Sequence, residues 1–590
     1  MILVSFFTFL GCVGQEGRAL WVVRYRLVDP KTVDQIVKDA KAAGFNLLFV
    51  QVYGRGDAYF NSSFVPRAEP LEDSPHGYDP LAYVISKAHE AGLQVHAWLN
   101  VYYVWPSPPP LPSSSDHLVR LHPEWLIKDE DGRTLMDYTP RERATEPVEG
   151  LFLDPSQPGV RRYFLKVCQE VLSRYPVGGI HLDFVRYPGS RWGFNEGAVE
   201  AFKKRWGVDP RFLSRWVRYP FPRRFLSHGF SPFMLWNYCY QSLWAEERSS
   251  YVSRLVEEVS ELVKSRRPRV VLSAAVIADP DRAYYEKGQD WRRWLAEGWL
   301  DLVVPMAYQG DACRVEAQIR EAIQCSGGER KVFAGLGAWR KSPEEIATEV
   351  ARLRRIGVDG LSLFSYQGMK DFSPDYLEEL RKYLTGKVSL GPKGPPLLDP
   401  FPSRGHPLIR SLQKQFFFLS EGFEALKERR EEVLRQWGII SRITEEVYPR
   451  ALPKEEEIVA LPSGFDLKGI FVPAHPYDCP ETKRKAFDAI MLAYERLRAG
   501  VRMGRVAKEV GGYVVTNHLF LGEGWDFFPY LVSLQEGDLT QALQLPHGYV
   551  VYQVMKRYPP EERRYGELPW SLKRVVFQQR FADLLRSWGK

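Results

Sequence analysis

From Leu20 to Tyr366 the chain alternates two hydrophobic patterns. Short, nearly unbroken apolar runs recur at Leu20–Tyr25, Phe45–Tyr53, Leu93–Val101, Gly178–Phe184, Arg269–Ile277, Leu300–Tyr308, Lys331–Leu336 and Val358–Tyr366. Runs this short, bounded by Gly and Pro, predict buried strands. Between them lie longer stretches whose apolar positions repeat at the helical period, among them Pro30–Gly44, Tyr78–Gly92, Gly159–Tyr175 and Tyr238–Ser265. Gly44 and Gly92 sit where C-terminal caps belong. Strand and helix in alternation predict a parallel sheet covered by helices, and eight repeats predict a (β/α)8 TIM barrel over residues 19–385. An insertion at 189–236 interrupts the repeat after the fourth strand.

The pattern then changes. Residues 386–407 form a Pro/Gly-rich linker. Residues 408–455 read as helical, with Phe416–Trp437 amphipathic, and Pro453–Ser463 is a break. Gly464–Pro473 and Gly548–Lys556 are strand-like, and helices are predicted at Cys479–Gly500, Val501–Val510 and Leu568–Trp588. This mixture makes 456–560 an α+β domain with helices on either side, the last within 561–590. The chain is therefore multidomain, as 590 residues require.

Composition narrows the picture modestly. There are 80 basic and 73 acidic residues, a net +7, without a basic tract, so nucleic acid is not an expected partner. Aromatic residues make up 14% of the chain, which fills cores and also supplies faces for sugar rings. Met1–Gly14 is apolar and too short to span a bilayer, so residues 1–18 read as a leader. Phe9-Leu10-Gly11-Cys12 resembles a bacterial lipobox, which would make Cys12 a lipidation site and the membrane a partner through that anchor alone. The expected location is then the periplasm or cell surface. The remaining cysteines form no CxxC pair, so no zinc site is expected, nor any metal or other cofactor. Cys313 and Cys325 either bridge or stay free.

The chemistry sits at strand ends. Gly178–Pro188 reads GGIHLDFVRYP, a strand ending in Asp183 and followed by Arg186 and Tyr187. The C-terminal end of a barrel strand faces the active site. A carboxylate closing an apolar strand must be solvated, paired or functional. Polar and aromatic residues gather near the other ends: Arg55 and Asp57; His96, Trp98 and Asn100; Asp279 and Asp281; Tyr308, Gln309 and Asp311; Trp339; Tyr366. A polar site with stacking walls and no metal cluster fits glycoside hydrolysis, which needs two carboxyl groups. Asp183 is the first catalytic candidate; Asp311 and Asp57 stand equal for the second, with Asp279 behind them and Asp154 a cap or loop residue. His181 lies on the same side of its strand as Asp183, either orienting it or filling the core.

Segments 51–71, 95–100, 122–126, 153–164, 179–189, 194–210 and 300–309 resemble the bacterial glycosyl-hydrolase-like family of "family 10-like" glycosidases. The resemblance implies a TIM barrel, an envelope role and a polysaccharide substrate, with peptidoglycan glycan strands among those cut by relatives. It carries Arg55, Asp57, Asn100 and Asp183 as site positions. Segments 467–473, 493–509 and 528–557 resemble a parvulin-type prolyl isomerase domain, and the flanking helices resemble those of periplasmic chaperones. That likeness implies a proline-containing peptide or an unfolded envelope protein as partner. Two departures count against catalysis there: Gly469 and Val550 stand where the family carries histidines, and His475, His518 and His547 are out of register. The rivals to a hydrolase are a glycan-binding scaffold and an active isomerase.

Overall fold

The computed structural model describes residues 16–107, 110–213, 232–385, 430–475, 478–520, 531, 533–545 and 548–588. Residues 1–15 with Cys12, the linker at 386–407, residues 408–429, His547 and residues 214–231 of the insertion lie outside the described residues; Gly17 and Arg18, read as the end of a leader, instead open the first strand.

Eight parallel strands close into a barrel. They are β1 (Gly17–Val22), β2 (Leu47–Tyr53), β3 (Gln94–Asn100), β4 (Gly179–Asp183), β5 (Val271–Ile277), β6 (Leu302–Met306), β7 (Lys331–Gly337) and β8 (Gly360–Phe364). Closure is direct, since β1 pairs with β2 at Ala19–Leu47 and with β8 at Gly17–Gly360. The expected eight-stranded barrel is thus observed. Its helices follow the predicted spans closely. Helix α1 (Pro30–Ala42) starts at an Asp29 cap with Pro at its first position, and buries Val33, Ile36, Val37 and Ala40 along one stripe. Helix α2 (Pro80–Glu90) repeats the scheme with an Asp79 cap, and helix α3 (Pro158–Arg174) keeps the leading Pro and the buried stripe without a side-chain cap.

Period-two alternation sorts the strand residues. Outward ones join the helices; inward ones, including Ala19, Trp21, Leu47, Phe49, Trp98, Leu302 and Val304, fill the lumen. The register of β3 on β4 stacks the inward residues in layers: His96 beside Gly179, Trp98 beside His181, Asn100 beside Asp183. Gly179 has a steric reason, because a Cβ there would stand 2.5 Å from the His96 ring. Asn100 and Asp183 therefore form the top layer, at the mouth.

The sequence pattern gave no element between β3 and α3. The structure puts a small antiparallel ladder there, Tyr103–Pro106 against Gly150–Phe152. The insertion contributes helix α4 (Glu196–Trp206) and the long helix α5 (Pro232–Arg266).

The C-terminal half docks onto that insertion. Helices α6 (Arg430–Glu446) and α7 (Trp570–Trp588) bring Ile440, Ile443, Phe577 and Phe581 against Phe202, Phe212, Trp236 and Tyr240, one aromatic core made from three distant stretches. A buried ion pair, Arg574 to Glu130 at 2.7 Å, fixes α7 to the barrel's β3–β4 loop. The α+β portion is a four-stranded antiparallel sheet in spatial order β10 (Tyr513–Phe520), β9 (Gly464–Pro473), β12 (Gly548–Tyr558), β11 (Leu543–Leu545). The segment read as a break holds a further strand, Ile458–Leu461, paired with Glu561–Arg564.

A disulfide joins Cys313 to Cys479, 166 positions apart. This corrects both alternatives for Cys313, which neither bridges Cys325 nor stays free; Cys325 carries a free thiol. Among the described residues no helix is long and apolar enough to cross a membrane.

Candidate active site

A continuous polar network crosses the mouth over β1–β4. Arg24, just past β1, donates from its guanidinium to Gln51 Oε1 at 2.9 Å. Gln51 donates to Asn100 Oδ1 at 3.5 Å, and Asn100 Nδ2 donates to the Gly54 carbonyl at 2.6 Å. The Trp98 indole N–H is shared between Asn100 Oδ1 at 3.0 Å and Asp183 Oδ2 at 3.1 Å. Asp183 Oδ1 accepts the Phe184 N–H at 2.7 Å. Phe184 adopts φ +48°, a conformation that costs a non-Gly residue about 1 kcal/mol. That backbone turn aims its N–H back at the carboxylate.

Burial pushes the Asp183 carboxyl up to about 6, against the Phe184 N–H, the Arg186 charge and the Trp98 N–H, which all pull it down. The group therefore keeps its proton to higher pH than an ordinary carboxyl. Its charge also acts on Tyr308, whose hydroxyl pKa is raised well above the ordinary value by burial and by Asp183. Tyr308, Trp339 and Phe364 pack edge-on or tilted against one another at 5.0–6.0 Å, and Phe364 reaches Trp98 at 6.3 Å, making an aromatic wall beside the acid.

On the other side, Tyr103 stacks on Phe184 at 4.9 Å. Burial chiefly raises the Tyr103 hydroxyl pKa; the charges of Arg24, Glu149, Arg55 and Asp57 also act on it. These groups thus converge on one corner of the mouth. Arg55 Nε donates to Asp57 Oδ2 at 2.8 Å and its guanidinium lies over Trp105 at 4.4 Å. Asp57 Oδ1 is buried without a hydrogen-bond partner. The Arg55 carbonyl is 2.8 Å from His117 Nε2, and His117 Nδ1 accepts the Val119 N–H, so Nε2 carries the proton and donates. Arg186 donates to Glu149 at 2.7 Å and lies over Phe184 at 4.7 Å.

Asp183, Asn100, Arg55, Asp57, Arg186, Tyr308 and Trp339 are brought to the mouth together, whereas Trp98 lies buried one layer down, level with His181, and reaches the mouth layer through its indole N–H. Gln309 follows in the turn after β6, its N–H on the Ala307 carbonyl. The other candidates lie elsewhere. His181 is sealed in the lumen, stacked on Phe49 at 4.1 Å and bonded to Ser273 Oγ at 2.8 Å. His96 is sealed with it, and burial depresses its pKa to about 3. Both are neutral core histidines. Tyr187 is fully buried beneath Arg248 at 4.2 Å, and Tyr366 donates to Asp39 on α1 at 2.8 Å, on the helix side of the barrel. Neither meets a substrate from solvent.

The remaining aspartates have structural partners. Asp154 closes a buried turn on Ser156. Asp281 pairs with Arg292 at 3.2 Å. Asp279 caps a helix and meets His475 at 3.3 Å. Asp311 caps helix Ala312–Cys325 and also accepts from the Cys479 N–H and the Thr482 hydroxyl. Burial raises its pKa, but those donors outweigh it and hold the carboxyl below its usual range. Asp279 and Asp311 thus lie in the seam between barrel and C-terminal domain. Sequence reasoning missed Arg24, Gln51, Tyr103 and Glu149. Gln51 had a signal, an amide inside an apolar strand.

The indole donor gives a direct test. Trp98→Phe removes a bond that favours ionised Asp183, so the Asp183 pKa rises. The falling limb of the kcat/KM–pH profile is expected to move to higher pH by a fraction of a unit; a shift to lower pH contradicts the assignment.

An eight-stranded α/β barrel with a buried acid and aromatic wall at its C-terminal face has the architecture of a glycosidase-like barrel. The chain belongs to the family described as glycosyl hydrolase-like 10, which it matches over residues 16–334. It is 25% identical over 325 residues to "Glycosyl hydrolase YngK" of Bacillus subtilis, covering 50% of this chain and 54% of that protein. It is 27% identical over 295 residues to "Glycosyl hydrolase DigH" of Escherichia coli K12, covering 45% and 55%. The chain spans about half the length of these curated relatives. Among solved structures, the PgaB (BpsB) glycoside hydrolase domain of Bordetella bronchiseptica aligns with TM-score 0.44 at 15% identity, over 63% of this chain and all of that one.

Proposed function

We propose that the barrel hydrolyses O-glycosidic bonds in a polysaccharide of the bacterial envelope or exterior, with Asp183 as the proton donor. The observation that carries this is Asp183 itself: buried at the mouth, held by two directed N–H donors, and raised to about 6. A general acid of that strength is protonated when a leaving sugar oxygen needs it. The Tyr308–Trp339–Phe364 wall offers apolar faces to sugar rings, and the Arg55 guanidinium, held by Asp57, offers donors to hydroxyls. Peptidoglycan glycan strands are the first substrate to test. New reducing ends released by the full chain support the reading; binding without release supports a glycan-binding barrel instead.

The C-terminal domain reads as a parvulin-like peptide-binding domain without isomerase activity. Its strand order, with the first and last strands paired at the centre, supports the resemblance. Gly469 supports the loss of catalysis, because a Cβ there would stand 2.4 Å from the Val551 carbonyl oxygen, leaving no room for a histidine. In a proline cis/trans assay the full chain is expected to give no acceleration over the uncatalysed rate; acceleration would assign an isomerase. Export is part of the same proposal, supported by the Cys313–Cys479 disulfide, a bond that persists in oxidising compartments.

A further inference from the structure

We infer that Glu149 is the second carboxyl group of the reaction, the base that activates water opposite the Asp183 acid. The inference rests on the reading of Asp183 above and fills the role that Asp311 and Asp57 do not fill well.

Position comes first. Glu149 directly precedes the strand Gly150–Phe152, whose ladder with Tyr103–Pro106 folds the β3–β4 loop back over the mouth. Tyr103 and Phe152 from that ladder rest on Phe184 at 4.9 and 5.8 Å, and Phe184 is the residue whose N–H holds Asp183. The ladder therefore registers Glu149 against the Asp183 corner. Orientation comes second. Arg186 Nη2 donates to Glu149 Oε1 at 2.7 Å while its guanidinium lies over Phe184 at 4.7 Å, so the carboxylate is held by a cation that is itself held.

Accessibility separates it from its rivals. The Glu149 side chain is 44% exposed, whereas that of Asp57 is 5% exposed and tied to Arg55. Asp279 and Asp311 are engaged by the C-terminal domain. The electrostatics agree. Burial pushes Glu149 up, but Arg186 outweighs it and Lys287 adds to the pull, so the carboxyl lies below its usual range. Asp183 is shifted the other way, in part by the charge of Glu149. Two carboxyls driven apart in this manner divide the work of acid and base.

In the step, Asp183 gives its proton to the bridging oxygen as the bond from that oxygen to the anomeric carbon breaks. Glu149 takes a proton from water, whose oxygen forms the new bond to that carbon. Glycoside plus water becomes two hydroxyl-bearing sugars, and solvent returns the proton from Glu149 to Asp183.

The test uses the full chain on purified peptidoglycan glycan strands, with wild type, Glu149→Gln, Glu149→Asp and Asp183→Asn compared. Glu149→Gln is expected to lower kcat by about 10²-fold or more with little change in KM, and to abolish the rising acidic limb of the pH profile. Glu149→Asp keeps the charge and is expected to fold as wild type and retain part of the activity. Glu149→Gln within twofold of wild type, with Asp183→Asn inactive, overturns this inference and leaves the hydrolase reading standing. A covalent sugar ester on Glu149 overturns its role as base. Equal inactivity of wild type and all variants overturns both.

Discussion

Replacing Asp183 by Asn is expected to lower kcat/KM for glycan hydrolysis by about 10²–10⁴-fold and, at the same time, to stabilise the protein above neutral pH. The first effect follows from the missing proton, since Asn keeps the shape and supplies no acid. Glycan binding through Arg55, Trp339 and Tyr308 should survive. In the wild type, activity should fall as pH rises through about 6, where Asp183 loses its proton.

The second effect follows from linkage. The Asp183 carboxyl has a folded-state pKa of about 6, raised from an unfolded value of about 3.9. Below about pH 4 it is protonated in both states and costs nothing. Between the two values the folded state binds the extra proton, so stability falls as pH rises. Above about 6 the full penalty stands, about 3 kcal/mol. Asn escapes that penalty but accepts one fewer N–H bond than the carboxylate, a loss of about 1 kcal/mol. A higher apparent Tm for Asp183→Asn at pH 7.5, with no gain at pH 4, is the expected pair of scans. A lower Tm at pH 7.5 would remove burial as the cause of the raised pKa.

Arg574→Ala is expected to be the most costly substitution far from the mouth. Arg574 and Glu130 are 2.7 Å apart with side chains 6% and 2% exposed, one on the C-terminal helix and one on the barrel loop. Removing the cation takes a charged partner from the buried Glu130 carboxylate, a loss of up to about 3–5 kcal/mol. The apparent Tm and the urea midpoint should both drop. The double change Arg574→Met with Glu130→Gln should recover most of the loss, because neither charge is then buried. Activity at 25 °C should remain near wild type in both. An unchanged midpoint for Arg574→Ala would mean that α7 does not depend on this pair.

The barrel was legible because its information is local. Eight apolar runs and their helices each announce themselves within a short window, and Asp183 stands out as a charge closing one of them. Period two also put His181 on the same side as Asp183, correctly, but a period carries no depth. Register against β3 decides that His181 lies one layer down among Phe49 and Trp21, where it is core. Asp279 and Asp311 misled for a related reason. Both stand at strand ends and both begin helices, and Asp before Pro280 was a cap signal open to reading. Glu149 gave no signal, because its place depends on a ladder between segments over 40 residues apart. Cys479 depends on a pairing across 166.

That last pairing has a topological consequence. Cys313 lies in the barrel and Cys479 at the start of the α+β helix Pro480–Arg498, so the intervening chain is a closed loop. A protease that cuts once anywhere inside it leaves two polypeptides still joined by one covalent bond. Such a nicked molecule would migrate as a single species without reductant and as two with it. The C-terminal domain therefore stays with the barrel through backbone damage for as long as its surroundings remain oxidising.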